Sequence, residues 1–267
     1  MFKKIIFWLL GIFVFLYAAA CVWFYLSQDK LLFKTVKHPA DYKYHFSEEF
    51  EEHSISLKDG KKLNGILFKA DSSKGLILWL PGGRGMLDSI GMDAKFYTDL
   101  HYDIFMLNYR GFGKSEGKVE NEEQFHQDLQ EVYNYFKNKY EENKLVIFGY
   151  SLSTGPAAKL ASANTPKMLI LQAPYYRASD LATKPLSYLP VSMLFRYKFN
   201  TYEYLQNVKS PVVLIHGDAD ERINVNASIR MKQFLKPGDE LIILKGQKHG
   251  DFIKNPEYLE TLKRVLK

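Results

Sequence analysis

The chain has 267 residues, of which 46% are hydrophobic and 25% charged, and its net charge is +6. That composition suits one large globular domain, and the absence of low-complexity tracts and fixed-period repeats argues against a disordered or solenoid chain. Lys and Arg are spread along the chain rather than gathered with aromatics into a stripe, which argues against a nucleic-acid partner, and the single Cys21 rules out an intramolecular disulfide.

The first element is apolar. Ile5 to Leu26 holds 22 residues without a charged side chain. At 1.5 Å per residue such a helix is about 33 Å long, enough to cross the hydrocarbon core. Lys3 and Lys4 precede it, and Trp23 and Tyr25 suit the interfacial belt. A cleaved signal peptide is the rival, because Ala18-Ala19-Ala20 resembles a cleavage site. The apolar run continues past it, however, and favours an uncleaved single-pass anchor over residues 1–27. Leading lysines place the N-terminus inside and the main domain outside the cytoplasm, although Lys30, Lys34 and Lys37 nearly balance them. Residues 28–52 read as a polar, aromatic-spotted connector. With the core downstream, removal of residues 1–27 is expected to leave a soluble, active domain.

Residues 53–267 read as one α/β domain. His53–Leu57 and Gly65–Lys69 form a hairpin around Lys58-Asp59-Gly60. Six continuous apolar runs follow: Gly75–Leu80, Ile104–Asn108, Lys144–Phe148, Met168–Gln172, Val212–His216 and Glu240–Leu244. Such runs suit parallel strands buried on both faces. Between them lie helical patterns. In Glu122–Lys139, Phe125, Leu129, Val132 and Phe136 share one face; Ser151–Ala163, Ala227–Leu235 and Pro256–Leu266 are the others. The alternation predicts a mainly parallel sheet with helices on both faces, and ligands at the carboxyl ends of its strands.

Chemistry-bearing residues fall at those ends. Gly149-Tyr150-Ser151-Leu152-Ser153, between a strand and a helix, has the form of a tight turn that exposes a serine Oγ beside a helix N-terminus. Taken alone, it also reads as a helix N-cap. A serine nucleophile needs a base, and the base needs an orienting acid. Asp218 and Asp220 follow the Val212–His216 run, and His249 follows the last run. Asp220 is the preferred acid and Asp218 the turn former. His216, ending an apolar strand, reads as a buried histidine bonded to backbone. His38, His45, His53, His101 and His126 carry no motif. The loop Pro81-Gly82-Gly83-Arg84-Gly85 offers a backbone N–H to an oxyanion, with Gly83 and the Leu152 amide as the two donors. It lacks the Lys-Ser/Thr sequel of a phosphate-binding loop.

Asn108-Tyr109-Arg110-Gly111-Phe112-Gly113-Lys114-Ser115-Glu116-Gly117 resembles the D-Y-R-G-x-G-x-S-x-G segment of α/β-hydrolases. With Gln28-Asp29-Lys30-Leu31-Leu32-Phe33 after the apolar helix, and Leu189-Pro190-Val191 before His216-Gly217, the chain resembles the membrane-anchored α/β-hydrolase-domain serine hydrolases. These are distantly related to depalmitoylases and to monoacylglycerol and lysophospholipid lipases. Three positions depart from the pattern: Ser153 replaces the elbow glycine, Pro81 stands where many relatives have His, and Asn108 replaces a frequent Asp. The resemblance implies an α/β-hydrolase fold, a triad of Ser151, Asp220 and His249, and hydrolysis of a small-molecule or lipid-like acyl ester or thioester without metal or cofactor. A peptidase with the same triad, and a non-catalytic membrane-tethered binding protein, remain the alternatives. Residues 174–210 would lie over the site as a short cap. Tyr175, Tyr176, Tyr188, Phe195, Tyr197, Phe199, Tyr202 and Tyr204, with Arg177, Lys184, Arg196 and Lys198, either pack it down or meet an acyl chain beside an anionic headgroup.

Overall fold

A computed structural model describes residues 1–85, 87–183 and 186–267; Lys184, named above for the cap, lies outside the described residues. Among the described residues, eight strands form one sheet: β1 (Phe50–Ser56), β2 (Lys62–Phe68), β3 (Leu76–Leu80), β4 (Asp103–Leu107), β5 (Leu145–Tyr150), β6 (Met168–Gln172), β7 (Val212–Gly217) and β8 (Glu240–Leu244). Their spatial order is β1-β2-β4-β3-β5-β6-β7-β8. The β1–β2 hairpin joins β4 antiparallel, and every pair from β4 through β3 to β8 is parallel. The central strands β3, β4 and β7 are buried at every position, as continuous apolar runs require.

The helices are α1 (Phe2–Leu32), α2 (Leu87–Ile90), α3 (Ala94–Thr98), α4 (Glu122–Lys137), α5 (Thr154–Ala163), α6 (Asp180–Thr183), α7 (Val191–Leu194), α8 (Thr201–Leu205), α9 (Asn226–Met231) and α10 (Pro256–Val265). Local chemistry sets the long ones. Asn121 Oδ1 accepts the Gln124 N–H and starts α4, with Glu122 and Glu123 in its first turn and Lys137 in its last. Phe125, Leu129, Val132 and Phe136 are buried on its inner face. Asn255 caps α10, ahead of Pro256 in its first turn.

Two expectations shift. The boundary at residue 27 falls inside α1, which continues to Leu32. Residues 1–19 are exposed, and from Ala20 one face of the helix packs on the domain: Phe24 and Gln28 are fully buried. The apolar pattern alone did not reveal this, because membrane-facing and domain-facing apolar residues look alike. The stretch read as a connector lies against the fold. Phe33 packs on Phe112, Phe125 and Tyr197, His38 N–H donates to Gly113 O, and Tyr44 is buried with its hydroxyl bonded to Asn64 and Asn108. β1 starts at Phe50, within the stretch assigned to the connector.

The Asn108–Gly117 segment is structural. Arg110, nearly buried, pairs bidentately with Asp128 of α4 at 2.6 and 2.7 Å and reaches Asp59 in the hairpin turn. It thereby pins the hairpin and α4 to the end of β4.

Candidate active site

Ser151 sits where β5 turns into a short helical turn leading to α5, with φ at +53°. A non-glycine residue pays for that conformation in steric strain, which here aims the side chain away from both strand and helix. Crowding explains Gly149 two residues earlier, where a Cβ would meet the Ala157 Cβ at 2.6 Å and the Ser153 carbonyl oxygen at 2.8 Å.

Ser151 Oγ lies 2.9 Å from His249 Nε2, and His249 Nδ1 lies 2.7 Å from Asp220 Oδ2. A carboxylate accepts only, so Nδ1 carries the proton and Nε2 is free to accept the Ser151 hydroxyl proton. Asp220 Oδ1 takes the N–H groups of Arg222 and Ile223 at 2.8 and 2.9 Å. Burial pushes its carboxyl up, but hydrogen bonds from His216, His249 and the Ile223 amide outweigh that and hold it well below the usual carboxylate range.

Asp218, by contrast, is exposed and its carboxylate accepts the Gly246 N–H at 2.6 Å, closing the β7 and β8 loops together. His216 is fully buried. Its Nε2 donates to Ile223 O and its Nδ1 accepts from the Ser228 hydroxyl. Away from the site, His38, His53 and His126 pair with Asp88, Tyr135 and Glu122.

Gly83 and Leu152 both border the cavity that exposes Ser151 and His249. A Cβ on Gly83 would lie 3.1 Å from Leu152 Cδ2 and 2.3 Å from the Leu32 carbonyl oxygen, so the end of α1 presses on this loop. The loop is anchored below by Ser153, whose buried hydroxyl donates to Pro81 O, with Tyr109 Oη beside both.

Two residues that sequence reasoning passed over hold the histidine. Gln247 Nε2 donates to the carbonyls of Lys248 and Gly250, on either side of His249, and Gln247 Oε1 accepts from Asn255. Tyr150 donates to the His249 carbonyl at 2.8 Å. Neither has a sequence signal beyond standing next to a motif. Among the described residues, no group of three or more His, Cys, Asp or Glu side chains is placed to hold a metal ion.

Two spaces meet at Ser151. On the cap side a mainly apolar cavity of about 530 Å³ is walled by Leu181, Ala182, Leu186, Phe195 and Ile223 together with Trp23, Leu31 and Leu32 of α1, and Lys34, Arg84 and Arg222 also border it. On the other side an open cleft of about 1100 Å³ carries Arg84, Arg222, Lys245, Lys248 and Lys254 against Glu221 and Asp251. Of the eight cap aromatics, Phe195 alone borders the apolar cavity. Tyr175, Tyr197 and Phe199 are buried beneath the cap, and Tyr176 stacks on Tyr202 at 4.3 Å. The aromatics therefore mostly pack the cap down.

The strand order, the left-handed serine turn after β5 and the acid and histidine after β7 and β8 together decide the architecture. The chain has the α/β-hydrolase fold. Residues 71–200, just under half of it, match a family model described as serine aminopeptidase, S33. The chain is 26% identical over 200 residues to alpha/beta hydrolase domain-containing protein 17C of Xenopus tropicalis, covering 70% of this chain and 63% of that one. The Homo sapiens protein of that name is 26% identical over 204 residues, covering 74% and 59%. The chain thus spans less than two thirds of the length of these curated relatives. Among solved structures, the Pyrococcus furiosus esterase Pf2001 superposes with a TM-score of 0.67 at 21% identity, over 82% of this chain and 92% of that one. Est1E from Butyrivibrio proteoclasticus with ferulic acid bound gives 0.63 at 19% identity, over 80% and 96%. These α/β-hydrolase folds share the architecture with the present chain.

Proposed function

We propose that this α/β-hydrolase is a membrane-tethered serine hydrolase that cleaves acyl esters or thioesters. The observation that carries the reading is the unbroken hydrogen-bonded line from Ser151 Oγ through His249 to the ionised, buried Asp220. Ser151 Oγ attacks the acyl carbonyl carbon as its proton passes to His249 Nε2. Asp220 stabilises the imidazolium, and the amides of Gly83 and Leu152 receive the oxyanion. The alcohol or thiol then leaves with the proton from His249. Water, deprotonated by the same nitrogen, attacks the acyl-enzyme, releasing the acid and restoring the Ser151 hydroxyl.

The two spaces divide the substrate. The apolar cavity suits the acyl chain, and the cationic cleft suits an anionic leaving group. The same cleft argues against an aminopeptidase, which must hold a substrate ammonium group where this site gathers five cations around two acids.

α1 is long and apolar enough to cross a membrane. We take it as the uncleaved anchor, with the domain on the extracytoplasmic side because Lys3 and Lys4 lead the helix. An alkyl fluorophosphonate should attach to Ser151 of the folded protein, and p-nitrophenyl esters should be turned over. A folded protein that resists the label and hydrolyses no ester, thioester or aminoacyl anilide would leave only a binding role.

A further inference from the structure

The last three turns of α1 border the cavity that reaches Ser151. Leu32 stands against the Gly83 loop beside Ser151, and Trp23 lies nine residues back along the same helix; both border the apolar cavity. At 1.5 Å per residue they are about 13 Å apart along the axis. The cavity therefore runs from the reacting serine along the helix toward its membrane-crossing part.

The helix is locked in that place. Gln28, fully buried, donates to Leu194 O at 2.9 Å and accepts the Arg196 N–H at 2.7 Å. Asp29 Oδ1 accepts from Arg196 and Tyr197 at 2.5 and 2.6 Å. The partners lie in and just after α7, the cap helix that packs on α1. That same cap helix leaves Met193 81% exposed, and on α1 Trp23 and Leu26 are 57% and 67% exposed. Exposed apolar side chains gathered at the foot of a membrane-spanning helix fit immersion in the headgroup and acyl boundary better than contact with water.

We propose that α1 is one wall of the acyl-chain site, and that the substrate is a membrane-resident acyl amphiphile whose chain enters from the leaflet along the helix. This rests on Ser151 being the nucleophile. A soluble acyl donor would gain nothing from such a route, whereas a chain already in the bilayer slides from lipid to cavity without crossing water, so its apolar surface is never re-exposed.

The test uses the full chain in phosphatidylcholine nanodiscs and an alkyl fluorophosphonate with a diazirine at the far end of a medium-length chain. After labelling, photolysis and digestion, the cross-link should fall in the peptide containing residues 20–32. Cross-links confined to the cap or to the cleft around residues 245–254 would overturn the proposal while leaving the nucleophile intact. Failure to label Ser151 would instead remove the hydrolase reading on which it rests. A second readout is the ratio of kcat/KM for p-nitrophenyl decanoate to that for the acetate. Trp23→Gln with Leu31→Gln should lower it about tenfold, the loss expected when about two methylenes are no longer buried. Leu9→Gln, far along the exposed part of α1, serves as the control for general disturbance of the anchor. An unchanged ratio in the Trp23/Leu31 variant would also overturn the proposal.

Discussion

Ser153 donates its hydroxyl to the carbonyl oxygen of Pro81, so the two positions at which this chain leaves the usual elbow and loop pattern are bonded to each other. Tyr109 Oη lies 2.6 Å from Ser153 Oγ and 3.1 Å from the same carbonyl. The site floor is thus a buried three-group network under the Gly82–Gly83 loop. Ser153→Ala should cost about 1 kcal/mol of stability and lower kcat a few-fold as the loop loosens. With Tyr109→Phe added, the carbonyl loses both donors, and thermal unfolding should show a loss greater than the sum of the single changes. Additive losses would mean that the network does not act as a unit.

The paired acids after β7 give a second prediction. Asp220→Asn should lower kcat by about 10³–10⁴-fold, because an amide no longer fixes the His249 tautomer or stabilises its cation. Asp218→Asn should stay within about threefold, since the Asn oxygen still accepts the Gly246 N–H. Comparable losses in a p-nitrophenyl ester assay would reverse the assignment.

Asp220 also predicts a pH dependence of stability. Its folded-state pKa is depressed. The stability it contributes is therefore fully present above the unfolded carboxylate value of about 3.9, and is lost as pH falls below that toward the folded value. The gap in unfolding free energy between wild type and Asp220→Asn should narrow as pH drops below about 4. Denaturant titrations at several pH values measure it; a gap that widens in acid would contradict the ionised, hydrogen-bonded carboxylate.

Gln247 predicts a positioning effect. Its amide bonds the carbonyls on either side of His249. Gln247→Ala should reduce kcat about tenfold, because the two carbonyls flanking His249 lose their shared donor, and kcat should fall by more than KM changes although Gln247 also borders the cationic cleft. A rise in KM with unchanged kcat would place Gln247 in substrate binding instead.

What the sequence made legible follows from range. The strands β3 to β7 are buried on both faces and so read as apolar runs, the half-buried edge strand β8 keeps the same apolar pattern, and the candidate site residues stand directly after them. Ser151, Asp220 and His249 were legible for that reason, although 98 and 29 residues separate the bonded pairs. Gln247, Tyr150 and the Ser153–Pro81 bond were not, because each acts through a backbone carbonyl that no residue pattern encodes. The docking of α1 was hidden differently. Phe24 and Gln28 face the cap while Trp23 and Leu26 remain exposed, and a uniformly apolar helix carries no periodicity to tell those faces apart.

That docking changes what a truncation should do. Removing residues 1–19 deletes only exposed helix and leaves Phe24, Gln28 and the cavity wall in place. Removing residues 1–27 also deletes Phe24, which is fully buried against Phe195 with ring centroids 6.1 Å apart, and strips Trp23 from the cavity. Loss of a buried phenylalanine costs about 3–5 kcal/mol. In a domain of this size that corresponds to a fall in Tm of roughly 10 °C. In mild detergent the shorter deletion should therefore melt close to the full-length protein, and the longer one well below it. Phe24→Ala in the full-length chain should reproduce most of the difference, which separates lost packing from lost membrane contact. If both truncations melt together and Phe24→Ala is silent, α1 is a simple tether and its burial against the cap carries no stability.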